Sequence, residues 1–171
     1  MLQSLSLDDD HQKSLRVRGL SERTIEDRLL RSLHDRSTLP DSISPKLAGV
    51  SIDRSRQKCL RVSGRGISCP AFSPEGLITG IQVRLDNTSK GKYRWLKWQF
   101  SSHLPNGEMP ITCVVPKKLS QTDFIGLAEG ILKPIVIAEL HGITCMGASG
   151  GNFTSSRNQL KEYLSIPKGS A

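Results

Sequence analysis

Glu129 closes a short apolar run, Phe124-Ile125-Gly126-Leu127-Ala128-Glu129-Gly130. A helix-forming run, Ile131 to Gly142, follows at once, and a second apolar stretch, Ile143 to Gly147, comes after it. A carboxylate at the C-terminal end of an inner strand stands where open α/β sheets place their sites. There Glu129 can bind a metal ion or act as a general base, and Lys133, one helical turn on, can reach a phosphate. The same Glu129 also reads as an acid favoured by the dipole at a helix N-terminus, and the local residues leave both readings open. A lone carboxylate holds a divalent cation poorly, because hard cations take several oxygen ligands. Only Glu139 and Glu162 follow it. Glu139 lies about 15 Å away by helix rise. The pattern is half of a metal-dependent site.

A second constellation is basic. Arg65 is followed by Gly80-Ile81-Gln82-Val83-Arg84 and by Lys90-Gly91-Lys92-Tyr93-Arg94, with Trp95 and Trp98 interleaved. Phosphates take Arg and Lys, and unstacked bases take aromatic faces, so this run fits a single-strand track. It equally fits a strand whose tryptophans are core and whose lysines are solvated. A third stretch, Gly147-Ala148-Ser149-Gly150-Gly151-Asn152, reads either as a phosphate-presenting turn or as a tight loop without a ligand.

The elements that must position these residues divide the chain into four. Residues 1–36 read as a helical hairpin: His11 to Arg18 ending at Gly19, then Ser21 capping a helix from Glu22 to His34 with Ile25, Leu29 and Leu33 as its buried stripe. Residues 37–54, rich in Ser, Pro and Asp, read as a linker. Residues 55–122 switch to short strands: Cys59 to Val62, Gly66 to Phe72, Leu77 to Leu85, Tyr93 to Phe100 and Ile111 to Val115, with a turn at Asn106-Gly107. Residues 123–171 hold the strand–helix–strand unit and a last helix over 160–166. The fold class is therefore α+β: an N-terminal αα-hairpin, a mixed or antiparallel β subdomain, and half of an α/β unit with an open parallel edge prone to self-association.

Charge and composition narrow the partners. The formal charge is +8, and residues 41–120 hold thirteen Lys/Arg against five Asp/Glu, whereas the flanking segments balance. A localised basic excess is the footprint of a polyanion partner. Cys59, Cys69, Cys113 and Cys145 show no C-x-x-C spacing and read as the reduced thiols of a cytoplasmic protein. No apolar run approaches the length of a membrane span.

The pieces also occur in a familiar order. Leu15-Arg16-Val17-Arg18-Gly19-Leu20-Ser21-Glu22-Arg23-Thr24-Ile25 resembles the "RGLS-x-x-TI" helix pair ahead of the catalytic core in bacterial-type DNA primases. Gly64-Arg65-Gly66-Ile67-Ser68-Cys69-Pro70-Ala71-Phe72 and Gly80-Ile81-Gln82-Val83-Arg84 are similar to that family's "GR-x-x-FP" and "G-x-x-x-R" strands, and Lys92-Tyr93 to its "KY" motif. Ala128-Glu129-Gly130 and the helix after it look like the opening of a Toprim domain. The variant with Lys133 in the E-G-x-x-K position is similar to primase-like replication proteins of plasmids and phages.

The resemblance implies that Glu129 is the catalytic and metal-binding residue for Mg2+ or Mn2+. It implies that Arg65, Arg84, Lys92 and Lys133 face nucleic acid or phosphate. It also implies single-stranded DNA or RNA as partner, with replication proteins or a helicase alongside. The expectation is that no zinc-binding domain precedes the helix pair and that the D-x-D motif completing a Toprim site would fall just past Ala171. The expectation is a chain truncated before that motif, with weak or absent metal binding and no primer synthesis alone. The rival expectation is a non-catalytic remnant with no present ligand.

Overall fold

A computed structural model describes residues 1–97, 103–118 and 124–165. The chain opens with helix α1 (Asp9–Val17), whose first turn holds Asp9 and Asp10 and which buries His11 and Leu15 one turn apart. The chain turns at Gly19 into helix α2 (Glu22–Asp27), where the Ser21 side chain accepts from Thr24 N at 3.2 Å.

Helix α2 is shorter than its apolar spacing predicts. Leu29 adopts a left-handed conformation (φ 51°) and Leu30 N closes on Ile25 O at 3.0 Å. The cause is tertiary. Ser68 Oγ donates to Leu29 O at 2.9 Å and accepts from Arg31 N at 2.8 Å, which pulls the chain out of the helix. Strand β1 (Ser32–Leu33) follows, so Leu33 enters a different part of the core from Ile25.

Residues 37–54, expected as a linker, are largely exposed but are tied to the body at two places. Leu39 is buried and donates its N–H to Lys58 O at 2.8 Å. Within that stretch strand β2 (Val50–Ile52) pairs antiparallel with β3 (Lys58–Leu60).

The first sheet is antiparallel. It comprises β4 (Gly66–Phe72), β5 (Ile78–Leu85) and β6 (Tyr93–Trp95), in the order β1-β4-β5-β6. All seven residues of β4 are buried. Pro70 is tolerated in this inner strand because β1 covers only Gly66 and Ile67. Beyond β1, the edge of β4 is taken by the next sheet, with Phe72 N donating to Thr112 Oγ1 at 3.0 Å. The predicted strand at 93–100 ends at Trp95 among the described residues, and Trp98 lies outside them.

Strand β7 (Thr112–Val114), expected with the basic β subdomain, instead belongs to the third sheet. That sheet adds β8 (Gly126–Glu129), helix α3 (Leu132–His141) and β9 (Cys145–Ala148), followed by helix α4 (Arg157–Ser165). Its order is β7-β9-β8, with β8 parallel and β7 antiparallel to β9. The fold is α+β, with several sheets, four α-helices among the described residues and an N-terminal helical part. None of these helices is long and apolar enough to cross a membrane.

Two apolar clusters sit on opposite faces of the first sheet. Ile67, Cys69 and Ala71 pack with Leu15, Ile25 and Leu30 from the N-terminal part and with Ile131, Ile135 and Ala138 around α3. Ile81, Val83 and Leu85 pack with Leu2, Leu33, Leu60 and Leu96. Burial of apolar area on both faces holds the layers together, at about 25 cal/mol per Å². The four cysteines are buried free thiols, and burial pushes Cys69 up to about 12.

A polar clasp fastens α1 to the first sheet. Arg65 donates to Asp8 Oδ2 (2.6 Å), Asp10 Oδ2 (2.8 Å) and Asp86 Oδ2 (2.8 Å). Buried His11 bridges Ser32 Oγ (2.7 Å from Nδ1) and Asp86 Oδ1 (2.9 Å from Nε2). The Arg65 hydrogen bond holds the Asp10 carboxyl at about 2, against an ordinary 3.8. Burial pushes Asp8 up, but the Arg65 hydrogen bond and the His34 charge bring it below the ordinary value.

The folded state therefore binds fewer protons than the unfolded chain in acid, so this stabilisation is present above pH 3.8 and is lost as pH falls toward about 2. Arg65→Ala is expected to lower the melting temperature at neutral pH and to remove this part of the acid limb. Melting curves across that window check it, and parallel acid limbs in the two proteins would refute it.

Candidate nucleic-acid interface

Strand β8 ends at Glu129, paired in register with Ala148 of β9. The chain then reverses at Gly130, whose φ of 80° suits glycine and whose N–H donates to Ala148 O at 2.6 Å. Pro134 stands in the first turn of α3, where its missing N–H would have had no helical partner. Its ring and the Gly130 carbonyl press against β9 at Gly147, where a Cβ would overlap both. This close approach fixes the start of α3 and brings Lys133 back over the strand end. Lys133 Nζ donates to Glu129 Oε2 at 3.0 Å, and both side chains are exposed.

The basic residues arrive from the other sheet. Arg84 of β5 is opposite Tyr93 of β6, and Gln82 is opposite Trp95, so the four side chains share one face. Lys92 leads into β6, its ammonium 5.8 Å from the Tyr93 ring centre. The Lys133 hydrogen bond, then its charge, hold the Glu129 carboxyl below its ordinary value, and the Lys92 charge adds to this. Burial raises the Tyr93 hydroxyl, against the charges of Arg84, Arg18 and Lys133. Lys133, Lys92 and Arg84 thus stand within electrostatic reach of Tyr93, and Glu129 lies beside Lys133.

The packing beneath these side chains is polar and incompletely paired. Gln82 is 1% exposed, and its Nε2 donates to Ser149 Oγ at 3.0 Å. Among the described residues, Gln82 Oε1, Arg84 Nε and Trp95 Nε1 are buried without a hydrogen-bond partner. Buried polar atoms are rarely left so, and a ligand is one way to satisfy them. The turn Ser149–Gly151 follows β9, and a Cβ on Gly151 would lie 4.0 Å from Glu129 Cγ, so the glycine-rich loop borders the same cleft.

Arg65 is not brought to this cleft. Its guanidinium is engaged by Asp8, Asp10 and Asp86, and those carboxylates, Asp10 first, raise its already high pKa. The reason is its position just before β4, facing α1. Sequence reasoning missed Gln82 and Ser149 as partners. The period of two along β5 places Gln82 on the face of Arg84, but nothing local reveals that the loop after β9 reaches it.

The Mg2+ or Mn2+ that the resemblance implies finds a poor donor set here. No group of three acids, histidines or cysteines gathers around Glu129 among the described residues, and its carboxylate is already paired with an ammonium. The Asp8–Asp10–His11 cluster is elsewhere and is filled by Arg65.

No family model matches this chain, and no curated protein matches it. Among solved structures it is similar to the DnaG catalytic core, with a TM-score of 0.56 and 13% identity over 94% of this chain and 53% of that one. The fold is primase-like. The chain spans about half the length of that structure.

Gly147→Ala tests the close approach that orients the cleft. It is expected to lower the unfolding free energy by about 1–3 kcal/mol, the usual cost of overpacking. An unchanged urea midpoint would show that the crossing accommodates a methyl group.

Proposed function

We propose that this chain is a primase-like replication protein that binds single-stranded nucleic acid in the cleft between β5–β6 and the β8–α3–β9 unit, the latter being a Toprim-like half. The observation that supports this reading most is that Lys92 and Lys133 gather at Glu129 while Arg84 and Lys133 gather at Tyr93, beside Arg84 Nε and Trp95 Nε1, which are buried without a partner among the described residues. Phosphate oxygens are acceptors of both kinds of donor, and cations at the rim draw the backbone in. Tyr93 and Trp95 offer ring surface to bases. In this reading Arg84, Lys92 and Lys133 contact phosphate. Glu129 keeps the acid–base role that the resemblance implies, and Arg65 serves the clasp.

Salt titration of oligonucleotide binding tests it. Affinity is expected to fall steeply with salt, and Arg84→Ala or Lys92→Ala should each reduce the slope of log K against log salt by about 0.7, one single-strand counterion. A surface arginine outside the cleft, such as Arg54, should leave the slope unchanged when replaced. Absence of binding at low salt would favour the non-catalytic remnant.

The outer edge of β8 is unpaired among the described residues, with Phe124 and Leu127 exposed beside it. Pairing with a second copy is the proposed use of that edge. Sedimentation should then depend on concentration, and Leu127→Lys should abolish that dependence; a monomer at all concentrations would exclude it.

A further inference from the structure

Resting on the nucleic-acid reading for its ligand, we infer that Lys133 stands where a divalent cation would stand beside Glu129, so that the cleft engages phosphate directly and without metal. Two independent observations lead there. The first is the ion pair. Lys133 Nζ is 3.0 Å from Glu129 Oε2, the two are joined across a fixed strand-to-helix turn, and Lys92 adds a second positive charge nearby. A dication entering at Glu129 must displace one ammonium and stand beside two, while gaining a single carboxylate where it wants six or more oxygens.

The second is the polarity of the vacant hydrogen-bonding capacity. Arg84 Nε and Trp95 Nε1 are buried N–H donors without acceptors among the described residues. A metal ion satisfies no donor, whereas a phosphate oxygen satisfies either. Gln82 Oε1 is left over as an acceptor, suited to a hydroxyl or amine of the same ligand. The set therefore selects an anion rich in acceptors. The ammonium of Lys133 supplies the charge neutralisation that a divalent ion otherwise brings to phosphate.

Two measurements on the 171-residue chain decide it. Manganese titration followed by electron paramagnetic resonance should leave the ion free with the wild-type chain. Lys133→Glu, which sets a second carboxylate beside Glu129, should bind manganese at least about tenfold more tightly. Adding Glu129→Gln should remove that gain. Anisotropy of a labelled oligothymidylate should give the same affinity, within about twofold, in EDTA and in magnesium at matched ionic strength. Lys133→Glu should bind weakly in EDTA and recover with magnesium. Lys133→Met should bind weakly in both, and thermal melts of both exposed-site variants report that they fold.

Wild-type binding that disappears in EDTA, or wild-type manganese affinity equal to that of Lys133→Glu, overturns the inference. No oligonucleotide binding in either buffer defeats the nucleic-acid reading and the phosphate half with it. The manganese titration still decides whether Lys133 holds the place of the ion.

Discussion

The absence of a side chain at Gly147 is the constraint from which the cleft follows. Because β9 presents bare backbone there, the Gly130 carbonyl and the Pro134 ring can lie against it. That contact sets how soon α3 begins after β8, and the early start of α3 sets the distance between Glu129 and Lys133. A strand end and a helix start separated by two residues would otherwise diverge. Here they are held by packing rather than by the ion pair itself, since an exposed, solvent-screened pair of this kind contributes little. The ion pair reports the geometry; the glycine contact produces it.

The same logic explains how the two sheets share one site. Strand β4 is covered by β1 only at its first residues, so its remaining edge is open to Thr112 of β7. One face of the first sheet then packs on α1, α2 and α3 together. With α3 fixed against that face, the strand end that carries Glu129 lies near the polar residues of β5 and β6. The Gln82–Ser149 hydrogen bond crosses the gap between sheets. The helical start of the chain contributes by wedging α1 and α2 against the same layer, a role that needs no chemistry from it.

Much of this was legible in the residues. Strand β4 was predicted over Gly66 to Phe72 with the bounds that it has, because its ends are marked by Gly66 and Pro74. Strands β5, β8 and β9 and helix α3 follow from apolar patterning and from Gly130 and Gly142. What was not legible depended on partners distant in sequence. Helix α2 stops early because Ser68 captures the backbone at Leu29 and Arg31. Strand β7 joins β9 rather than β5, a choice between two apolar neighbours that no local pattern encodes. Arg65 looked like a phosphate ligand beside Arg84, yet three aspartates, two of them over fifty residues earlier, claim its donors.

The middle of the chain carries the whole basic excess, but excess charge is not the same as available charge. Arg65 is balanced by Asp8, Asp10 and Asp86, and Lys117 pairs with Asp27. Arg28 gives one N–H to Val115 O and lies over the Phe72 ring. Around Glu129 the count runs the other way: Lys92 and Lys133 face a single carboxylate. An electrostatic field that draws a polyanion is set by such unbalanced groups, and their effect is greatest where low-dielectric walls focus it. In the proposed nucleic-acid reading, that imbalance is what would draw an anion to the junction of β5–β6 with β8–α3, beside the buried polar atoms that lack a partner among the described residues.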